Sequence, residues 1–308
     1  MNLYRIATFC LTIFFFSCAA SSDEPLEEVP LSPLETVRLL AGENGQLSGA
    51  RSSNNRIYPS EIQAILDRGY IIFAMTAADQ KPFFYREQNT GELIGLDVEI
   101  GYEIANRLGV RAVFNREAES FDGVVMKIAN KEADVALSKL SRTIRRAELV
   151  RYTDPYIVFR QALLVNRLEL TKVTSEDKLP YFIKHFEGRL GVIKNSSYLS
   201  YAETNFPQAT IETYDTWDQT VDALFYGKVL AAYRDEGEIL IINTIREDAS
   251  ILMKPVFIND KQDPIAMAVA YDAPLLQEWL NVFLEDYLLQ NKGELTPARI
   301  VERHFGVR

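Results

Sequence analysis

Cysteine is nearly missing from this 308-residue chain: there are 2, Cys10 and Cys18, and none follows. Beyond them, disulfides, thiol nucleophiles and cysteine metal sites are excluded. Histidine is as scarce, with 2 residues, His185 and His304, neither set among carboxylates at ligand spacing, so each reads as a surface or helical residue. No phosphate loop, HExxH or GxSxG occurs, and the glycines of "GELIGLDVEIG" do not follow a strand at dinucleotide spacing. No metal, cofactor or catalytic residue is therefore expected. Basic charge is also short, with 33 Lys and Arg against 43 Asp and Glu, a net charge of -10 and a pI near 5.0. That balance builds no field for a phosphate backbone and argues against a nucleic-acid partner.

Long apolar runs are lacking too. The one candidate, Ile6 to Phe16, is too short to span a bilayer but suits a secretory signal, with Arg5 ahead of it and Ser17-Cys18-Ala19 behind. The pattern resembles a bacterial lipoprotein signal, residues 1–17, cleaved before a lipid-bearing Cys18, although Phe15 stands where such signals usually carry Leu. Residues 18–56 are rich in Pro, Gly, Ser and Asn without periodicity and read as a flexible tether.

What is present in quantity is apolar: hydrophobic residues make up 47% of the chain, enough for real cores. Order is expected from Pro59, where "PSEIQAILDRGY" offers Ser60 as an N-cap and Gly69 as a stop. Strand and helix signals then alternate. "YIIFAMT" and "VRAVFN" read as strands around the helix "GLDVEIGYEIANRLGV". "FDGVVMKIANKE" reads as a helix before the strand "ADVALS". Further on, "QALLVN", "RLGVI", "ATIETY" and "LAAYR" read as strands, interleaved with helices such as "WDQTVDALFYG" and "EGEILIINTI". The alternation predicts an α/β architecture of parallel sheets covered by helices, long enough for two lobes.

The stretch "ALSKLSRTIRRAE", Ala136 to Glu148, follows a strand end, where open α/β sheets bind ligands. Ser138, Ser141 and Thr143 supply hydroxyls there, and Arg146 a planar fork suited to a carboxylate. From this stretch alone, a hydroxyl-capped helix start with basic surface residues accounts for it equally well.

Two longer segments, "KPFFYREQNTGELIGLDVEIGYEIANRLGV" and "FDGVVMKIANKEADVALSKLSRTIRRAELVRYTDPY", together with "GRLGVIKNSSY", "ALFYGKVLAAYRDE" and the closing "NKGEL…ERHFG", resemble family 3 of the periplasmic solute-binding proteins, the polar-amino-acid group that feeds ABC transporters. The resemblance covers about Ile57 to Val307. It implies the two-lobed periplasmic-binding-protein fold of type II, with lobe 1 at 57–159 plus 264–308, lobe 2 at 160–263, and two crossovers forming a hinge. It also implies a ligand site. Phe121 would wall the ligand, Ser138 and Ser141 would contact it from lobe 1, Arg146 would clamp its α-carboxylate, Ser197 would meet that carboxylate from lobe 2, and Asp235 would accept its ammonium. Three positions depart from the family: Lys139 replaces a small residue or Ser, Asn195 a common Gly, and Gln80 a frequent aromatic.

Lys139, Arg146, Lys194 and Arg234, set against Asp235 and Asp79, give a cationic surplus that favours a polar or acidic amino acid. The expected protein is a secreted, lipid-anchored monomer of the periplasm or cell envelope that captures an amino acid and passes it to a membrane permease. Two other readings share the fold: a dehydratase, which would need a poised acid such as Glu236 or Asp79, and a sensing module that signals to a partner.

Overall fold

The computed structural model of the protein describes residues 58–305. The expected signal peptide, Cys18 and the tether lie outside the described residues.

The first lobe opens with helix α1 (Ser60–Arg68), strand β1 (Tyr70–Thr76) and the small ribbon β2 (Tyr85–Arg86) and β3 (Leu93–Ile94). Helix α2 (Leu96–Leu108), β4 (Arg111–Ala118), α3 (Phe121–Ala129), β5 (Val135–Ala136) and the single turn α4 (Ile144–Ala147) follow. The long strand β6 (Val150–Asn166) carries the chain into the second lobe. That lobe holds α5 (Arg167–Thr171), α6 (Leu179–Lys184), β7 (Arg189–Ile193), α7 (Ser197–Asn205), β8 (Thr210–Tyr214), α8 (Trp217–Phe225), β9 (Ala231–Asp235), α9 (Glu236–Ile245) and α10 (Ala249–Leu252). Strand β10 (Met253–Ala270) returns to the first lobe, which α11 (Pro274–Gln290) and α12 (Pro297–Phe305) complete.

Local chemistry explains most boundaries. Ser120 caps α3 by accepting from Gly123 N–H at 3.1 Å, and Thr216 caps α8 by accepting from Gln219 N–H at 3.2 Å. Helix α2 ends at Gly109, whose left-handed φ of 68° lets its N–H return to Ala105 and Asn106 carbonyls. Ser60 does not cap α1. It is already helical, Pro59 holds the N-cap position without a side-chain bond, and the Ser60 hydroxyl donates to Glu61 instead.

Apart from the β2–β3 ribbon, the strands form one sheet in the order β4-β1-β5-β10-β6-β9-β7-β8. Within each lobe neighbours run parallel, as β1 does with β4 and β5, and β7 with β8 and β9. The sheet as a whole is mixed, which corrects the expectation of parallel sheets. Strand β10 is antiparallel to β5 and β6, and β6 to β9, because the chain leaves one lobe on β6 and comes back beside it on β10. Their pairing slips between Ile258 and Gln262 and again around Ala266. The expected lobe boundaries, at 159/160 and 263/264, fall inside these two strands.

Two apolar layers flank the sheet in each lobe, and strand alternation sorts residues between them. Ile71, Phe73 and Met75 of β1 pack with α2 and α11, while Ala74 faces Val124 and Ile128 of α3. In the second lobe Leu163 and Val165 join Tyr198 and Phe206, and Ala162 and Leu164 join Leu224 and Ile239. Among the described residues no helix is long and apolar enough to cross a membrane.

Candidate functional site between the lobes

The lobes meet around a cavity of about 10 Å³, close to the space one water needs. Phe121, Lys139 and Ser141 line it from the first lobe, Ser197, Tyr198, Arg234 and Asp235 from the second, and Asp263 and Ile265 from β10.

Lys139 leaves β5 with a left-handed φ of 46°, a conformation that needs outside support in a non-glycine residue. Its N–H donates to Asp97 Oδ2 at 2.7 Å, and Asp97 Oδ1 takes the Tyr156 hydroxyl at 2.8 Å. Burial drives the Asp97 carboxyl up to about 7 despite those bonds. The Lys139 side chain, buried to 3% exposure, crosses to the second lobe. Its Nζ lies 3.0 and 3.2 Å from the two Asp235 oxygens and 2.6 Å from Glu238 Oε1, with the Phe83 and Phe159 rings at 5.1 and 5.3 Å.

Asp235 ends β9 and caps α9, accepting from Glu238 N–H at 3.2 Å. Burial alone would raise its carboxyl, but the Lys139 and Arg234 charges outweigh that and hold it below the ordinary carboxylate value. Arg234 is also buried. Its Nη2 donates to Gln80 Oε1 across the cleft at 3.1 Å, and its guanidinium sits 5.5 Å from the Phe121 ring and 5.8 Å from Tyr198. Its Nε, 3.5 Å from Asp235 Oδ2, makes no hydrogen bond.

A hydroxyl chain closes the other side. Ser197 Oγ donates to Ser141 Oγ at 2.8 Å, and Ser141 Oγ donates to Asp263 Oδ2 at 3.1 Å. Asp263 also accepts from Tyr198 at 3.0 Å and Tyr201 at 3.4 Å. Burial first, and then the Asp235 charge, lift its carboxyl to about 6. Arg146 is buried behind Ser141 rather than in the cavity lining: Nε donates to Asp122 Oδ1 at 2.9 Å and Nη1 to the Ser141 carbonyl at 3.2 Å. Its Nη2, 2.9 Å from the same Asp122 oxygen, is off hydrogen-bond geometry. The arrangement is one of opposed, buried, mostly paired charges drawn from both lobes, suited to gripping a small charged solute as the cleft closes.

Residues 72–307 match the family model of bacterial extracellular solute-binding proteins, family 3. The chain belongs to family 3. Among curated relatives, the L-cystine-binding protein TcyA of Bacillus subtilis (strain 168) is 22% identical over 205 residues, covering 67% of this chain and 71% of that protein. The histidine-binding periplasmic protein of Escherichia coli (strain K12) is 24% identical over 156 residues, 50% of this chain and 56% of its own length. Two solved structures share the two-lobed fold. One is the ancestral amino acid-binding protein AncCDT-1, a precursor of cyclohexadienyl dehydratase, at TM-score 0.63 and 23% identity, covering 80% of this chain and 100% of that one. The other is a putative binding component of an ABC transporter from Wolinella succinogenes DSM 1740 complexed with lysine, at TM-score 0.64 and 24% identity, covering 77% and 96%.

Of the positions expected from the family 3 resemblance, Phe121, Ser141, Ser197 and Asp235 come together at the cavity, joined by Lys139 and Arg234 from the charge count. Ser138 is fully buried just outside it, where its Oγ accepts from Thr76 N–H at 3.1 Å and staples the ends of β1 and β5. Thr143 caps α4 by accepting from Arg146 N–H, as the capped-helix reading of that stretch expects. Lys194 stands apart from the cavity: its side chain is 54% exposed and pairs with Asp215. Asp79 likewise turns outward to Arg116, at 2.8 Å. The cationic surplus expected from sequence is therefore not what the cleft gathers. It sets Lys139 and Arg234 against Asp235, Glu238 and Asp263. Glu236 is committed elsewhere, accepting from Arg160 N–H at 2.8 Å and Arg160 Nε at 2.7 Å.

Asp263, Tyr198, Glu238 and the ring pair Phe83 and Phe159 were not legible as site residues. Asp263 sits in the polar run "NDKQDP" with no motif around it. Asn195 adopts φ 51°, the left-handed conformation that explains both a Gly and an Asn at that turn.

Proposed function

We propose that the chain is an extracytoplasmic solute-binding lipoprotein. It captures a small amino acid, polar or acidic favoured, between its lobes and delivers it to the permease of an ABC transporter. The observation that carries the reading is the convergence of buried charged and hydroxyl groups from both lobes on one closed spot, Lys139 and Ser141 from one side, Ser197, Arg234 and Asp235 from the other. A solute held there contacts both lobes at once, and its binding energy becomes closure energy. The printed names of similar proteins, binders of cystine and histidine and a complex with lysine, support the amino-acid class. A polar or acidic side chain now rests on Arg234, whose Nε has no acceptor. Ser138 and Arg146 would act from behind, Arg146 turning its fork from Asp122 to the solute carboxylate. Capture without chemistry is the favoured reading because neither candidate acid is poised in the cleft: Glu236 has both oxygens bound by Arg160, and Asp79 pairs with Arg116.

Cys18 would carry the lipid that holds a monomeric protein at the membrane surface, and Cys18→Ala should leave it unlipidated. Unchanged processing and membrane retention in that variant would reject the anchor. Capture itself is tested by mass spectrometry of the co-purified solute and by thermal shift across amino acids and acids of the same skeletons. A folded protein whose melting temperature responds to none of them would overturn it.

A further inference from the structure

The ammonium of Lys139 sits in a complete cation box. Two carboxylates from the second lobe, Asp235 and Glu238, lie within 2.6–3.2 Å of Nζ, and two phenyl rings from the first lobe lie at 5.1 and 5.3 Å. The box combines charge pairing with cation–π contact, which is how proteins hold a ligand's ammonium group. Here the occupant is part of the chain. The remaining carboxylate on the cavity, Asp263, is also taken: it accepts from Ser141, Tyr198 and Tyr201. The unused groups are donors. Arg234 Nε, on the cavity, is a buried guanidinium nitrogen without a hydrogen-bond acceptor, and Arg146 Nη2, behind Ser141 and beside Asp122, is another. An α-amino acid arriving at this site finds donors for its carboxylate and no free anion for its ammonium.

We propose that Lys139 is the site's own ammonium, and that the solute is a carboxylic acid of amino-acid size without a free α-ammonium, such as a 2-oxo, 2-hydroxy or dicarboxylic acid. The inference rests on the solute-capture reading and replaces the amino acid of that reading with its deaminated counterpart. Lys139 is then a specificity-determining residue. It fills the subsite that a zwitterion needs, and together with Arg234, 3.5 Å from Asp235 and 3.6 Å from Glu238, it neutralises those two carboxylates, so that a solute ammonium meets no unpaired anion there. An amino acid must expel Lys139 before it can pair with Asp235, whereas its deaminated counterpart leaves the box intact.

Isothermal titration of the full chain with matched pairs tests this: glutamate against 2-oxoglutarate and glutarate, and serine against glycerate. In the wild type the acid without the amino group should bind at least tenfold more tightly than its amino partner. In Lys139→Ser, which vacates the box, the order should reverse. Should Lys139→Ser fail to fold, as judged by circular dichroism, the double variant Lys139→Ser with Glu238→Gln sheds one of the exposed charges and carries the same test. The wild-type comparison stands without either variant. Amino acids binding the wild type as tightly as their partners, or a preference unchanged in a folded variant, overturns the role of Lys139 and leaves solute capture in place. No binding by either series, to wild type or to folded variants, overturns the capture reading and this inference with it.

Discussion

Ser197 of the second lobe donates its hydroxyl to that of Ser141 in the first at 2.8 Å, and Ser141 passes the chain to Asp263 on the returning crossover strand at 3.1 Å. Lobe contact and crossover strand therefore share one hydrogen-bond network. Ser197→Ala removes the first donor while Ser141 still reaches Asp263. The closed form should weaken by about 1 kcal/mol, the usual net worth of such a bond. Small-angle scattering should register this as a larger mean radius of gyration, and unchanged scattering would discount the bond as a latch.

Lys139→Ala leaves Asp235 and Glu238 facing each other without their shared cation. Truncating one partner of a buried ion pair costs about 3–5 kcal/mol, and chemical denaturation should show a loss of that order. Methylammonium, small enough for the vacated box, should restore part of the loss in Lys139→Ala and none in the wild type.

Arg146 and Arg145 are adjacent but unequal: Arg146 is buried against Asp122 and Ser141, and Arg145 is exposed. Arg146→Ala should lose at least about 2 kcal/mol of solute affinity, as for truncation of a buried charge partner. Arg145→Ala should change little. Equal affinities in calorimetry would remove Arg146 from the site.

Stability should rise on mild acidification. Burial lifts Asp97 to about 7 and Asp263 to about 6, against an ordinary value of 3.8, so between that value and the folded one the native state binds more protons than the unfolded chain. Each such group adds up to about 1.4 kcal/mol of stability per pH unit as pH falls through its window. Asp235, held below 3.8, loses its contribution only at lower pH. Calorimetry should find a higher melting temperature at pH 5 than at pH 7.5, and Asp97→Asn should flatten the rise.

Gly95, which opens α2, has φ 125°, and a Cβ there would meet the Phe83 carbonyl oxygen at 2.5 Å. Gly95→Ala should destabilise the first lobe by about 2 kcal/mol or more, since backbone strain and a backbone clash combine. A melting temperature within a degree of wild type would contradict this.

Much of the fold was legible because its causes are local. The period of apolar residues, the stop at Gly109 and the turn residues between elements depend on neighbours a few positions away, and they located most helices and strands. Strands β6 and β10 escaped in large part because Pro155, Pro255 and Pro264 and the polar run "NDKQD" weaken a strand signal, and only pairing with each other makes them strands.

The site divides along the same line. Its residue types around "ALSKLSRTIRRAE" could be read from sequence, including Lys139, Ser141 and Arg146. Which charges meet could not. Lys139 and Asp235 are 96 positions apart, and Ser141 and Asp263 are 122 apart. Lys194 and Asp79, which counted toward the cleft by sequence, turned instead to partners outside it. By itself the sequence determined the α/β elements, which short-range sterics and periodicity settle, while the family resemblance and the candidate hydroxyls and charges lay in its motifs. Tertiary structure alone decided that the cleft sets two cations against three carboxylates and that Lys139 holds Asp235, because electrostatic pairing depends on distances of a few ångströms between segments that only the folded lobes bring together.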